Sequence, residues 1–141
     1  MSVRHSSRAL AGALARVGDR WSLLVVDALD DGPRRFGELQ ESIPGIASNV
    51  LAQRLRQLEA DRVIMASPYS GRPLRFSYSL TDSGRDLAGA MRLLAQWSAR
   101  HGEGAVDSPR HDACGTALET RWWCPTCEQP VDGDDGAPVW V

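Results

Sequence analysis

Lysine is absent. All 16 basic residues of this 141-residue chain are arginine, a bias that a GC-rich coding sequence produces and from which nothing about function is drawn. Long apolar runs are missing too: they stop at four residues, as in Leu23 to Val26, against the roughly 20 needed to cross a bilayer as a helix. The start, Met1-Ser2-Val3-Arg4-His5-Ser6-Ser7-Arg8, has no continuous apolar block followed by a small-residue cleavage site, so secretion is not expected and the cytoplasm is the default. Cysteine is scarce, with three in all and none before Cys114. An odd count in a chain expected to be cytoplasmic disfavours a disulfide framework. Catalytic constellations are also lacking: there is no Ser/His/Asp order, no phosphate-cradling glycine loop and no paired-carboxylate arrangement. His5 sits near the start, and His101 near a helix end favours the negative pole of that helix. No enzymatic activity is expected.

What is present is one modest core's worth of chain, with a small appendage, and no internal repeat. The overall charge is -2, but it is unevenly spread. Residues 1–104 carry 14 Arg against 11 Asp and Glu, a net +3, while residues 105–141 carry 2 Arg against 7 Asp and Glu, a net -5. The basic part is the one whose pattern carries the functional reading below.

Helical periodicity dominates that part. Ser6 or Ser7 can cap a first helix with Leu10, Leu14 and Val17 on one narrow stripe, stopped by Gly18. From Asp19, the residues Trp21, Leu24, Val25, Ala28 and Leu29 recur at core-facing spacing, closed by Asp31-Gly32-Pro33. Phe36, Leu39 and Ile43 make a short helix broken by Pro44-Gly45, the tight turn a helix-turn-helix requires. A helix over 48–62 follows, with Leu51, Leu55 and Leu58 on its buried side and Ser48, Asn49, Gln53, Arg56 and Gln57 round the other.

The period then changes to two. Val63, Met65, Ser67 and Tyr69 alternate with their neighbours, as do Phe76, Tyr78 and Leu80, which predicts two antiparallel strands. Gly71-Arg72-Pro73-Leu74-Arg75 joins them as a guanidinium-tipped loop, and Pro68 points to a strand edge. Thr81 then caps a long helix, with Asp82 favourable at its positive end. Its stripe of Leu87, Ala90, Met91, Leu94 and Trp97, with Leu93 off it, has little of this small chain left to cover it. Together with Leu10 and Leu14 on the first helix it predicts a homodimer contact. Residues 1–104 form the expected main domain, 105–110 a linker and 111–141 a separate small unit.

That order of elements predicts a mainly α chain with a small β-hairpin, an α+β winged helix-turn-helix whose partner is double-stranded DNA. A reading helix in the major groove needs short or planar hydrogen-bonding side chains in its first turns, and Ser48, Asn49 and Gln53 supply them. Arg54 and Arg56 can reach phosphates or a guanine, Arg72 and Arg75 on the wing at 70–76 can reach the flanking groove or backbone, and Arg34 and Arg35 are phosphate candidates. Any one arginine is as readily a solvated surface charge; their joint placement carries the inference.

Several blocks, in order, resemble the HxlR family of bacterial regulators across residues 8–101: Gly18-Asp19-Arg20-Trp21-Ser22-Leu23-Leu24, Gly32-Pro33-Arg34-Arg35-Phe36-Gly37-Glu38-Leu39, Ile43-Pro44-Gly45-Ile46, Val50-Leu51-Ala52-Gln53-Arg54-Leu55-Arg56-Gln57-Leu58-Glu59 and Tyr78-Ser79-Leu80-Thr81-Asp82-Ser83-Gly84. The resemblance implies a dimeric winged helix-turn-helix repressor or activator on a palindromic operator. Two departures stand out. The cysteine that the family often has before the first core helix is missing around Ser7 to Leu10. The usual Ser-Pro at the start of the reading helix is Ala47-Ser48, from which Ser48 is expected to act as the cap.

All three cysteines fall in the last 28 residues and, with His111, make His-x2-Cys-x9-Cys-x2-Cys: His111, Cys114, Cys124 and Cys127. Tetrahedral zinc takes such soft and borderline ligands from two tight turns, and Cys3His is a known structural set. Gly115 and Pro125 suit the turns. The pattern resembles a short zinc ribbon, with Leu118, Trp122 and Trp123 beside a structural Zn2+. A Cys124–Cys127 redox pair, or three thiols with no site, are the alternatives. At the level of the whole chain, two other readings stay open. One is a protein-interaction adaptor whose acidic tail and Val139-Trp140-Val141 end dock a partner such as a polymerase subunit. The other is a metal- or thiol-responsive regulator acting through the cluster. No motif identifies a small-molecule effector.

Overall fold

The computed structural model describes residues 3–102 and 109–131. The expected linker at 105–110 lies largely outside these residues, and Val139-Trp140-Val141 entirely so. Two compact units form, one of residues 10–92 and one of residues 93 onward with the first turns of the chain.

Helix α1 (Val3–Val17) starts ahead of Ser6 and Ser7, which therefore lie within it and do not cap it. It stops at Gly18, whose N–H reaches the Leu14 carbonyl at 2.8 Å; a β-carbon at that position would collide with the same carbonyl. Asp19 caps α2 (Arg20–Asp30), its carboxylate accepting from the backbone N–H groups of Trp21 and Ser22 at 3.1 and 3.0 Å. The buried face of α2 is Ser22, Val25, Val26 and Leu29, whereas Leu24, placed inward by the sequence pattern, is 41% exposed. The unbroken apolar run from Leu23 to Val26 leaves the phase of the stripe undetermined, and the buried face lies about one position round from the predicted one.

Arg34 and Arg35 form a two-residue strand, β1 (Arg34–Arg35), that the sequence pattern does not show. Helix α3 (Phe36–Ser42) follows at once, started by Glu38, whose carboxylate accepts the Arg35 backbone N–H at 2.6 Å. Gly45 at φ +81° makes the turn after Pro44 that an L-residue would resist. Helix α4 (Ser48–Ala60) ends short of residue 62 because Arg62 takes a left-handed conformation (φ 57°) and the Val63 N–H folds back to the Leu58 carbonyl at 2.9 Å.

Strands β2 (Ile64–Gly71) and β3 (Leu74–Leu80) pair antiparallel, and the three-stranded sheet has the order β1-β3-β2. The expected five-residue loop is tighter than the sequence suggests: Gly71 faces Leu74 and Ser70 faces Arg75, so the turn is Arg72-Pro73 alone and Leu74 and Arg75 belong to β3. Pro68 stands on the edge strand β2, next to an irregularity in register. Thr81 caps α5 (Asp82–His101) through the Gly84 N–H at 3.2 Å.

The core of the first unit gathers α2, α3, α4, the sheet and the start of α5 around Val25, Val26, Leu39, Leu51, Leu58 and Ile64, all fully buried. Burying a Leu, Ile or Val side chain of this kind stabilises by roughly 1.5–3 kcal/mol, so α4 is held to the body by three leucines. On α5 it is Gly84 and Ala88 that face inward. Leu87 and Met91 pack against the core at partial burial, while Ala90, expected on the apolar stripe, is exposed.

The second unit contains the later part of α5, an isolated antiparallel bridge between Arg110 and Ala117, and a small hairpin of β4 (Trp122–Cys124) and β5 (Gln129–Val131). Among the described residues no helix is long and apolar enough to cross a membrane. The whole is a mixed α/β winged-helix fold with five helices among the described residues and a small antiparallel sheet.

Candidate nucleic-acid interface

The turn at Pro44-Gly45 sets α3 and α4 in the helix-turn-helix arrangement, and a side-chain bridge ties their outer surfaces. The Gln40 amide donates to Ser48 Oγ at 2.8 Å. Ser48 is thus not the cap that the sequence suggested. The N-cap position is Ala47, with no side-chain cap bond, and Ser48 is the first helical residue, its hydroxyl oxygen engaged by Gln40. Nothing in the sequence pattern singles out Gln40.

Leu51, Leu55 and Leu58 turn inward, which leaves Ser48, Asn49, Gln53, Arg56 and Gln57 exposed. Gln57 donates to Asp61 at 3.1 Å, within the helix end. Asn49, Gln53 and Arg56 have no hydrogen bond or ion pair among the described residues, so their polar groups carry no internal commitment that a ligand would have to break. Tyr78 lies half-buried behind this helix. Burial, with the negative charge of Glu59, pushes its phenol above the ordinary tyrosine value against the opposing charge of Arg56, and it stays a neutral donor at physiological pH.

Arg54 behaves differently from its neighbours. Its guanidinium turns to Asp19, Nε lying 3.4 Å from the carboxylate, and that Nε is shut from solvent without a well-aligned hydrogen bond. The pair fastens α4 to the N-terminus of α2. Burial raises the Asp19 carboxyl, but the hydrogen bonds from Ser22, the charge of Arg54 and the Trp21 N–H together outweigh it and hold the group below the ordinary carboxylate value. A depressed folded-state value means that this contribution to stability is present above about pH 4, the unfolded carboxylate range, and is lost as pH falls through the lower folded value. Asp19→Ala is expected to cost about 1 kcal/mol at pH 7. Asp19→Asn keeps a cap but removes the titration, so urea unfolding should show a flatter loss of stability between neutral and acid pH than in the parent chain. An unchanged acid limb would show that Asp19 does not contribute.

The two arginines before α3 are also placed by the fold. Arg34 Nε donates to the Ala28 carbonyl at 2.6 Å, its guanidinium lies 3.5 Å from Asp31, and in β1 it faces Tyr78. Arg35 stacks its guanidinium over the Tyr69 ring at 4.3 Å. Arg72 at the hairpin tip and Arg75 on β3 are exposed and have no ion pair among the described residues. The fold therefore separates the basic set into anchored cations, Arg34 and Arg54, and uncommitted ones, Arg56, Arg72 and Arg75. No spacing in the sequence could have made that distinction, because the partners lie in other elements.

The tail brings its soft ligands together in two pairs. His111 Nδ1 stands 3.3 Å from Cys114 Sγ, and the thiols of Cys124 and Cys127 hydrogen-bond each other. Among the described residues no group of three or more His, Cys, Asp or Glu side chains is gathered about one point, so the four expected ligands do not meet in one cluster. Hydrogen bonds with the Thr116 side chain and backbone N–H, then with His111, lower the Cys114 thiol. The N–H groups of Cys127 and Thr126 lower that of Cys124, and Cys127 is pushed up by its bond to Cys124 and by that neighbour's charge.

A helix-turn-helix with an uncommitted polar face and a winged hairpin defines a transcriptional regulator of winged-helix type. The sequence matches the HxlR-like helix-turn-helix family over residues 16–105, and the chain belongs to that family. It is 35% identical over 141 residues to Rv3095, an uncharacterised HTH-type transcriptional regulator of Mycobacterium tuberculosis, an alignment covering 98% of this chain and 89% of the relative. Among solved structures it is similar to PA1607, a candidate transcription factor, with TM-score 0.72 and 30% identity over 92% of each chain. The redox regulator HypR, in its oxidised form, is similar over 68% of this chain and 99% of its own, with TM-score 0.63 and 28% identity.

Proposed function

We propose that the protein is a dimeric regulator that binds two-fold symmetric operator DNA, laying the outer face of α4 in the major groove and the β2–β3 wing along the flanking backbone. The observation that carries this reading is the division of α4: three buried leucines fix it to the body, while Asn49, Gln53 and Arg56 point outward with no hydrogen bond or ion pair among the described residues. Short amides and a guanidinium at the start and middle of such a helix are what base edges require. Arg56, Arg72 and Arg75 supply the charge for phosphates, and the net -2 of the whole chain, concentrated in the tail, does not oppose it.

What is left uncovered supports the dimer. Leu10 and Leu14 on α1 are 60% and 56% exposed, and Leu94 and Trp97 on α5 are 57% and 58% exposed. Large uncovered side chains on each of these helices favour a second copy of the chain as their cover. Leu87 and Met91 contribute less, being partly used by the protomer's own core. Two copies related by a two-fold axis read an operator with the same symmetry. In this reading the chain carries out no catalytic step.

The test is a salt titration of binding to a genomic or selected duplex. Affinity should fall by about 0.9 log unit per log unit of salt for each phosphate neutralised, with a smaller slope for Arg72→Ala and Arg75→Ala. Binding that ignores salt would argue for the alternative, a protein-interaction adaptor.

A further inference from the structure

The tail contains the same turn twice. In the first copy His111 and Cys114 stand two residues apart, the Gly115 N–H closes on the His111 carbonyl at 2.7 Å, and Gly115 is left-handed at φ 69°. In the second, Cys124 and Cys127 have the same spacing, and the residue after the last ligand, Glu128, is again left-handed at φ 52°. Each turn is closed by an antiparallel pair, Arg110 with Ala117 and Cys124 with Gln129. Each also points backbone N–H groups at a sulfur: Thr116 at Cys114, and Thr126 and Cys127 at Cys124. Glu128 is the informative residue. A left-handed conformation costs an ordinary L-residue roughly 1–2 kcal/mol, and it is adopted here at the position that matches the glycine of the other turn.

We propose that these two turns are the halves of a single zinc site, and that one Zn2+ ion draws His111, Cys114, Cys124 and Cys127 into a closed tetrahedral Cys3His centre. The first half already has nearly the required spacing. Zinc bonds of about 2.3 Å to sulfur and 2.0–2.1 Å to nitrogen, at tetrahedral angles, put a bound sulfur and nitrogen about 3.6 Å apart, and His111 Nδ1 and Cys114 Sγ stand at 3.3 Å. The connection from the first turn to the second, residues 118–121, has neither helix nor strand; closing the halves would have to shift the bonds it makes, from the Leu118 N–H to the Pro109 carbonyl and from the Thr120 hydroxyl to Gln96, each 2.8 Å. The three thiols donate their protons to solvent as thiolates on binding, no electrons are transferred, and four protein ligands leave no open position, so the ion is structural. Its closure orders a unit too small to fold on a core of its own, with Trp122 and Trp123 at 58% and 60% exposure on the hairpin beside it.

The experiment uses the full chain, purified under reducing conditions, with zinc alone and then cobalt as probes. One zinc per chain should survive dialysis against a weak chelator, all three thiols should become protected from a thiol reagent, and cobalt should give the strong visible bands and thiolate charge-transfer absorption of a tetrahedral site. Cys114→Ser and Cys127→Ser should each weaken zinc by at least about 100-fold, the upper end of what even outer-shell changes cost, while His111→Cys keeps the site and helical circular dichroism stays unchanged. Octahedral cobalt spectra, a stoichiometry well below one, or loss on changing Cys127 but not Cys114 or His111, would overturn the shared site. The last of these would leave Cys124 and Cys127 as an independent dithiol.

Discussion

Gly84→Ala, a change of one methyl group, is expected to lower the melting temperature of the winged-helix unit by roughly 10–20 °C, the shift that about 3 kcal/mol produces in a domain of this size. A β-carbon at 84 would sit inside the van der Waals shell of the Val63 carbonyl oxygen and against the Leu80 side chain at 3.1–3.2 Å. That carbonyl already accepts from the Thr81 hydroxyl at 3.0 Å and the Thr81 N–H at 3.1 Å. The helix start cannot retreat without losing the bonds that join α5 to the root of β2, and each is worth about 1 kcal/mol. Gly89→Ala is the control on the same helix. Among the described residues no atom lies within 4 Å of a β-carbon there, so the substitution should stabilise by about 0.5–1 kcal/mol through helix propensity alone. Thermal unfolding followed by circular dichroism separates the two; equal effects would mean that the α5–β2 contact is not as close as described.

The second large effect concerns reading rather than folding. Removing Gln53 and Arg56 together should abolish most of the preference for operator over unrelated duplex, since each well-made base contact is worth roughly 1–3 kcal/mol of discrimination. The melting temperature should barely move, because neither side chain has a hydrogen bond or ion pair among the described residues. Arg54→Ala should show the reverse balance. Its guanidinium is committed to Asp19, so stability falls modestly and base preference persists apart from any slackening of α4. Competition binding with specific and non-specific duplexes measures the ratio. Equal losses of preference for Arg54→Ala and for the Gln53/Arg56 double variant would mean that the outward face is wrongly assigned.

These contrasts mark what sequence alone could and could not supply. The five elements carrying the winged helix, the Pro44-Gly45 turn, the Thr81 cap and the three inward leucines of α4 are local features, and periodicity and capping chemistry expose them. Some misses are local, as where α1 starts ahead of Ser6 and α4 ends at Ala60 before the left-handed Arg62; the others are tertiary. Leu24 turns outward while Ser22 and Val26 turn in, because a run of four apolar residues has no phase of its own. Arg34 and Arg35 become a strand only because β3 is there to pair with them. Ser48 looks like a cap until Gln40, eight residues earlier, takes its oxygen. Arg54 reads as a DNA contact from its place on the helix, and only the fold shows Asp19 within reach.

The most direct measurement is selection of bound duplexes from a randomised library, carried out with the parent chain and with the Gln53→Ala/Arg56→Ala variant. The parent should enrich a two-fold symmetric sequence whose half-sites lie about one helical turn, roughly 10 base pairs, apart, and the variant should lose base preference within those half-sites. A bound pool as random as the input, or an enriched sequence that the variant selects unchanged, would contradict the assignment of α4 as the reading helix.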